Sequence, residues 1–196
     1  MFSTNNCDLV ISPSGAADTD KVISSHENLH AAPIGVAVCS EDGLYMITGS
    51  RDTAVKMWLI RAHKLEHFWT CHGHTEEVTC LDYCSEYSIV VSGSKDKTCI
   101  VWDSRQGKRV RCLGSYNEPV ISVSINRIGG SIAVLTPLQL FLYRINGEFE
   151  GGAELTEFSA HSSGIMQPGT CVVAPPAGLW QVTLSCYPSP IIVLEK

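Results

Sequence analysis

The chain has 196 residues, a net charge of −6, 44% apolar residues and 17% charged ones. That composition can fill a sizeable core, which excludes a disordered chain, and the acidic balance without a continuous Lys/Arg run argues against a nucleic-acid footprint. No apolar run of about 18 residues is present to span a bilayer, and the opening MFSTNNCDLVISPSG lacks the basic and apolar regions of a signal peptide.

The nine cysteines (7, 39, 71, 80, 84, 99, 112, 171 and 186) are odd in number and contain no CxxC. They read as reduced core residues of a cytoplasmic protein rather than a disulfide framework or a zinc site. In chain order, Asp8–Ser12 and Lys21–Ser25 read as two strands, so residues 1–29 are a partial blade or N-terminal hairpin. At His30 a repeat begins. His30 lies 28 residues before Trp58, and His74 lies 28 before Trp102; Ile34, Thr48 and Asp52 are answered by Val78, Ser92 and Asp96, all at an offset of 44. A fixed period of this size marks stacked units that cannot bury their apolar faces alone.

The first unit, 30–72, has four apolar stretches at Ile34–Cys39, Leu44–Thr48, Ala54–Leu59 and Leu65–Cys71, separated by turns SEDG, GSRD and RAHK. Four stretches with turn signals read as a four-stranded antiparallel sheet. The second unit, 73–114, repeats the plan at Val78–Cys84, Ser88–Ser92, Thr98–Trp102 and Arg109–Leu113. Its runs SIVVS and TCIVW are apolar throughout, as in strands covered on both faces. Cys80 and Cys84 fall at even spacing on one strand and read as small apolar packing residues.

The third unit, 115–160, is degenerate: Tyr143 stands at the Trp place, Tyr116 at the His place and Leu135 at the Ser place. Its strands are expected at Val120–Ile125, Ile132–Leu135, Leu140–Ile145 and Ala153–Phe158, with Asn146-Gly147 as a hairpin signal. Residues 161–196 hold the start of a fourth unit, AHSSGI, and then an aberrant tail with five prolines, in which short strands at Thr170–Val173, Gln181–Ser185 and Ile191–Leu194 break the repeat. The fold class is therefore all-β: a partial, open β-propeller of about three four-stranded blades, with lateral faces carrying residues such as Leu81, Val91 and Ile100. A ring needs four to eight blades. The missing ones are expected from a longer chain or from another arc, and the change at Gln167 also reads as a replaced tail.

The recurring quartets, His30/Thr48/Asp52/Trp58 and His74/Ser92/Asp96/Trp102, have a structural use. A turn Asp can accept backbone N–H groups and orient the His, while the hydroxyl bridges His and the indole N–H. Ser92, His74 and Asp96 also have the residue types of a hydrolase triad. Their duplication and the absence of a GxSxG elbow favour struts over catalysis, and no catalytic residue is assigned. His63, Glu66 and His67 spell HKLEH, not HExxH, and neither they nor His72 and His74 make a metal site. No cofactor is called for.

GHTEEV…SGSKDKTCIVWD resembles a WD repeat, and the wider stretch through VISVSINRIGGSIAV…LYRING is similar to the C-terminal repeats of BEACH-type proteins, the group of the autophagy-linked FYVE protein and the lysosomal trafficking regulator. The resemblance implies a non-enzymatic scaffold in vesicle, lysosome or autophagosome traffic. It would be cytoplasmic and peripheral at endolysosomal or autophagic membranes through its partners. Those partners would be other proteins, the remaining blades or a BEACH domain, and not nucleic acid. By the same resemblance, contacts fall beside the His and before the turn Asp, here Pro33, Arg51, Thr75, Glu77 and Lys95. The alternative on the same fold is an adaptor in a ubiquitin-ligase, chromatin or signalling complex.

Overall fold

Short runs of branched and aromatic residues, punctuated by Gly-, Asp- and Asn-bearing turns, fold as antiparallel meanders. The computed structural model describes residues 2–5, 8–11, 24–26, 28–61, 64–154, 171–173, 181–186 and 189–195. Among these residues every regular element is a strand, and no helix is long and apolar enough to cross a membrane.

The first blade is the sheet β4 (Ile34–Cys39), β5 (Tyr45–Ser50), β6 (Val55–Arg61) and β7 (Lys64–Cys71), paired in that order. The second is β8 (Val78–Cys84), β9 (Ile89–Ser94), β10 (Thr98–Asp103) and β11 (Lys108–Ser115). The third is β12 (Ser122–Ile125), β13 (Ile132–Leu135), β14 (Gln139–Tyr143) and β15 (Phe149–Glu154). Upstream lies a three-stranded sheet, β1 (Phe2–Asn5), β2 (Asp8–Ile11) and β3 (Ser24–His26), so the N-terminal piece has one strand more than the two read from sequence. The segment FSTN shows no apolar alternation, so periodicity does not mark it. Downstream, β16 (Cys171–Val173), β17 (Gln181–Cys186) and β18 (Ser189–Glu195) gather the tail strands into one antiparallel sheet. His63, Met166–Thr170 and the 161–165 head of the fourth unit lie outside the described residues.

The first strands of successive sheets are neighbours: β1 beside β4, β4 beside β8, β8 beside β12, and β12 beside β16. The result is an open arc of radially arranged sheets. The core sits in the seams between them. Ile47, Val55, Met57 and Trp69 of the first blade interlock with Val78, Leu81, Ile100 and Trp102 of the second. Val91, Cys99 and Val101 of the second pack against Val123, Ile132, Val134 and Tyr143 of the third. Leu81, Val91 and Ile100 thus lie on lateral faces that are covered by a neighbour, and Cys80 and Cys84 fill the second seam beside them. All six residues of β9 are buried, as expected of a strand covered on both sides.

Two glycines set how closely blades approach. A Cβ on Gly49 would stand 2.6 Å from Val78 Cγ1, and one on Gly93 would stand 2.6 Å from Cys80 Sγ and strike the Val120 side chain. Both occupy the same place in the repeat. Hydrogen bonds between side chain and backbone then cross the second seam: Thr79 Oγ1 donates to the Val120 carbonyl at 2.5 Å, and Ile125 N–H donates to Asp82 Oδ2 at 2.7 Å. In the first seam Trp69 Nε1–H donates to the Ser104 carbonyl at 2.7 Å.

One element differs from its sequence expectation by several residues. The outer strand of the third blade is Phe149–Glu154 and begins four residues ahead of the expected Ala153, while residues 155–158 of that expectation lie outside the described residues. The Asn146-Gly147 turn reverses the chain at once, Gly147 taking φ 84°, so pairing with β14 resumes directly after it. The Gly-rich FEGGAE has little intrinsic strand preference and does not advertise itself.

Gly93→Ala should lower stability by about 1–3 kcal/mol through overpacking against Val120. A urea melt should show a lower midpoint with little change in slope; an unchanged midpoint would mean that the seam can relax.

Candidate interaction face and its supporting network

The turn between the second and third strands of each blade and the loop entering its first strand meet at one end of the sheet. In the first blade His30 enters from the loop. Its Nδ1 lies 2.9 Å from Asp52 Oδ2, and its Nε2 lies 2.7 Å from Thr48 Oγ1. Trp58 Nε1–H donates to the same Thr48 oxygen at 2.9 Å. In the second blade His74 Nδ1 lies 2.9 Å from Asp96 Oδ2, His74 Nε2 lies 2.7 Å from Ser92 Oγ, and Trp102 Nε1–H donates to Ser92 Oγ at 2.8 Å. The structure therefore brings each quartet together as one chain of hydrogen bonds.

One assignment of protons satisfies every member. A neutral imidazole donates Nδ1–H to the carboxylate and accepts the hydroxyl proton at Nε2, while the hydroxyl oxygen accepts the indole N–H. Burial pushes both histidines below their ordinary value of 6.5, against the raising influence of Asp52 and Asp96. For the two aspartates burial works upward. It is outweighed by the N–H groups of Ala54 and Ala31 on Asp52, and by Thr98 and the Thr75 N–H on Asp96, together with the histidines, so both are held below 3.8. The hydroxyl oxygen accepts from Trp while its proton goes to His, and Thr48 and Ser92 are both fully buried, out of reach of solvent.

Sequence reasoning missed a fifth recurring member. Ser50 Oγ donates to the Ala32 carbonyl at 2.9 Å and accepts from the Asp52 N–H; Ser94 Oγ donates to the Glu76 carbonyl at 3.2 Å and accepts from the Asp96 N–H. Both serines are fully buried and 44 residues apart, so the period itself carried the signal. Lys56 adds a further tie in the first blade, donating from Nζ to the Leu29 carbonyl at 2.7 Å. In the third blade the polar chain gives way to ring packing. Tyr116 packs against Phe141 with the rings tilted and their centroids 4.7 Å apart, and its buried hydroxyl has no hydrogen-bond partner among the described residues.

His67 lies on a strand, not a helix. Its ring meets Trp58 edge-on at 5.5 Å and its Nε2 lies 2.7 Å from Thr70 Oγ1, while Glu66 sits 3.9 Å from Arg61. Among the described residues no group of three metal-ligating side chains converges. Cys71 and Cys80 are pushed up to about 12 and Cys39 to about 11 by burial, so these thiols stay protonated.

On the surface above the quartets, Arg51, Glu77 and Lys95 meet. Glu77 Oε2 accepts from Arg51 Nε at 3.2 Å and from Lys95 Nζ at 2.7 Å, joining the turns of two blades. Both cations hold the Glu77 carboxyl below its ordinary range. Pro33 is tied to this cluster through its carbonyl, which accepts from the Arg51 N–H at 3.0 Å, and Thr75 through its N–H on Asp96. All but Glu77 are exposed. The cluster presents charge and a proline on the turns of two blades.

Radial four-stranded sheets held by duplicated His/hydroxyl/Asp/Trp chains define the WD-type propeller blade. The family model for the WD domain, G-beta repeat, matches residues 20–58 and 65–103. The chain is a WD-repeat protein, and the curated proteins it resembles include BEACH-type ones. It is 33% identical over 140 residues to WD repeat- and FYVE domain-containing protein 4 of Mus musculus, covering 68% of this chain and 4% of that protein. It is 34% identical over 138 residues to BEACH domain-containing protein A2 of Arabidopsis thaliana, covering 67% and 4%. It is 37% identical over 91 residues to the lysosomal-trafficking regulator of Homo sapiens, covering 44% and 2%. The chain thus spans only a few hundredths of the length of these relatives. Among solved structures, the WD40 repeats of RRP9 superpose with a TM-score of 0.64 at 18% identity, covering 78% of this chain and 46% of that one, which shows the fold.

Ser92→Ala should orphan the Trp102 N–H and the His74 ring nitrogen, costing about 1–3 kcal/mol per group. A thermal melt should fall by roughly 2–4 °C for each kcal/mol lost. An unaltered melting temperature would contradict the strut role. The histidines also set a pH dependence. Their folded-state values lie below 6.5, so the unfolded chain binds more protons as pH falls from that point, and stability declines. Asp52 and Asp96 act in the same direction below 3.8. Asp82, raised by burial, acts oppositely, gaining stability as pH falls. The urea midpoint should therefore drop between about pH 7 and about pH 5, and His74→Asn should flatten that slope.

Proposed function

We propose that this chain is a non-enzymatic docking module of a BEACH-type trafficking scaffold, cytoplasmic and brought to endolysosomal or autophagic membranes by its partners. It acts by presenting Pro33, Arg51, Thr75, Glu77 and Lys95 to a partner protein. The supporting observation is the bridge that Glu77 makes to Arg51 and Lys95, which locks loop residues of two blades into one surface.

Each blade supplies a turn held from beneath by its quartet, so the loops reach a partner already ordered and little conformational entropy is lost on binding. The carboxylate between two cations is nearly neutralised, leaving net positive character at Arg51 and Lys95, with Thr75 and Pro33 as the uncharged flank. In such surfaces a few anchors carry most of the energy, and arginine is the favoured one here. The quartets in this reading are struts, residues 30–72, 73–114 and 115–160 are the blades, and catalysis plays no part. The trafficking assignment is supported by the names of the similar proteins, among them a lysosomal-trafficking regulator.

The test is affinity purification followed by mass spectrometry from cells expressing the wild-type chain and an Arg51→Glu/Lys95→Glu double variant. Membrane-traffic proteins should be recovered with the wild type and depleted about tenfold or more with the variant, as loss of a central charged anchor would produce. Recovery of ligase or chromatin subunits in their place would overturn the assignment in favour of an adaptor role.

A further inference from the structure

At the opposite end of the blades from Glu77, the rim of the first seam holds a slot of about 190 Å³ between the first and second blades. Tyr45, Met57 and Phe68 of the first blade and Tyr83, Ser88 and Ser104 of the second form its walls, and Arg105 stands at its edge. An apolar cavity of about 150 Å³ takes one benzene ring, whereas sites for drug-sized ligands run to about 300–1,000 Å³. The slot therefore has room for a single aromatic or large aliphatic side chain and is too small for a cofactor.

Its shape depends on a β-bulge. Trp58 pairs with His67 and Met57 pairs with Trp69, which leaves Phe68 as the extra residue of β7, half-exposed with its ring 6.0 Å from that of Tyr45. A bulge re-aims a side chain at the edge of a sheet. The same irregularity recurs in the next two blades, where the extra residues are Val110 and Glu150. The corresponding wall in the second seam is built from Ile89, Val101 and Ile125, all buried in its core cluster. The aromatic slot is thus a departure from the repeat.

Charge also departs from the repeat at this place. Residues 105–111, RQGKRVR, contain four cations in a chain of net charge −6. Arg105, Lys108, Arg109 and Arg111 are all exposed along the turn and the outer strand β11, and none has a carboxylate partner among the described residues. Carboxylates in this and the flanking turns are engaged locally: Asp103 accepts from the Arg105 and Gln106 N–H groups, Asp42 from Ser40 and Leu44, and Glu86 from Ser85 and Cys84, while Glu41 pairs with Arg127. In the third blade the equivalent turn offers Arg144, which is taken by Glu148 and Glu150.

We infer that the rim between the first and second blades is a second binding site, for an acidic linear peptide of a partner protein that inserts one aromatic or large aliphatic side chain among Tyr45, Met57, Phe68 and Tyr83 and pairs its carboxylates with Arg105, Lys108 and Arg109. The apolar side chain supplies burial and the unpaired cations supply orientation and encounter rate. β11 is also the outer edge of its sheet, so an extended peptide beside it finds unpaired backbone groups as well. The site is separate from the Arg51–Glu77–Lys95 surface and does not depend on it.

The probe is a short fluorescein-labelled peptide with one tryptophan flanked by glutamates, titrated with the full chain in a polarisation assay. Saturable binding should appear, weaken with salt, and fall about tenfold or more for Arg105→Glu and for Phe68→Ala. Both side chains are exposed enough that these variants should melt within about 2 °C of wild type. Lys97→Gln, at the other end of the blades, should bind the probe as wild type does. Replacing the probe's tryptophan by alanine should abolish binding. Equal affinity for the alanine probe, undiminished binding by Arg105→Glu, or preferential binding to vesicles of anionic phospholipid would each overturn the inference.

Discussion

The arc stands or falls on the distance between neighbouring inner strands. Gly49 and Gly93 occupy matching places in the first two blades where a Cβ would strike the next sheet, Val78 in one case and Val120 in the other. With hydrogen there, β4, β8 and β12 approach closely enough for side chains of adjacent sheets to interdigitate into shared clusters. The two larger clusters are shared between blades, Trp102 of the second blade being packed by Val55 and Met57 of the first and Val91 of the second by Val134 of the third, while Ile34, Met46 and Trp58 form a smaller cluster within the first. Stability is accordingly a sum of nearest-neighbour terms, as in other stacked repeats. The inter-blade hydrogen bonds from Thr79 and to Asp82 are geometric locks on an approach that packing already favours.

Against that constraint, the polar quartets solve a local problem. The turn bearing Asp52 or Asp96 has several backbone N–H groups that face inward, and a carboxylate is the compact way to accept them. The histidine links that carboxylate to the hydroxyl, and the hydroxyl links it to the tryptophan, which in the second blade fills the seam with the first. A surface turn is thus wired to the core through four side chains and the buried Ser50 or Ser94. The third blade lacks this wiring and bears the cost. Tyr116, Phe141 and Tyr143 fill the volume, but the Tyr116 hydroxyl is left without a partner among the described residues.

Much of this was readable from periodicity. The offset of 44 residues placed β4 and β8 at their observed limits and the other strands of the first two blades within about two residues. The features that escaped did so for physical reasons. FSTN carries no alternation, and FEGGAE carries no strand preference, yet the first is paired by its hairpin neighbour and the second by a tight Asn-Gly turn. Ser50 and Ser94 recur as regularly as the quartets, but serine in a Gly-Ser turn looks like ordinary turn chemistry. The aromatic slot could not be read at all, because it depends on Phe68 being the unpaired residue of a bulge, and register is a property of two strands. Nor did RQGKRVR stand out, since its cations are interrupted in sequence and become a strip only when the turn and β11 lie along one rim.

The recurring bulge has a wider consequence. In each blade a bulge at the matching place on the outer strand leaves a residue without a cross-strand partner, Phe68, Val110 and Glu150 in turn, and β11 skips Leu113 as well. An aromatic ring, a small aliphatic group and a carboxylate are accepted at the same geometric station because that station belongs to neither packed face. The blades can therefore diversify what they display around the circumference while their interiors stay interchangeable, so recognition can evolve one petal at a time without renegotiating the scaffold that carries it.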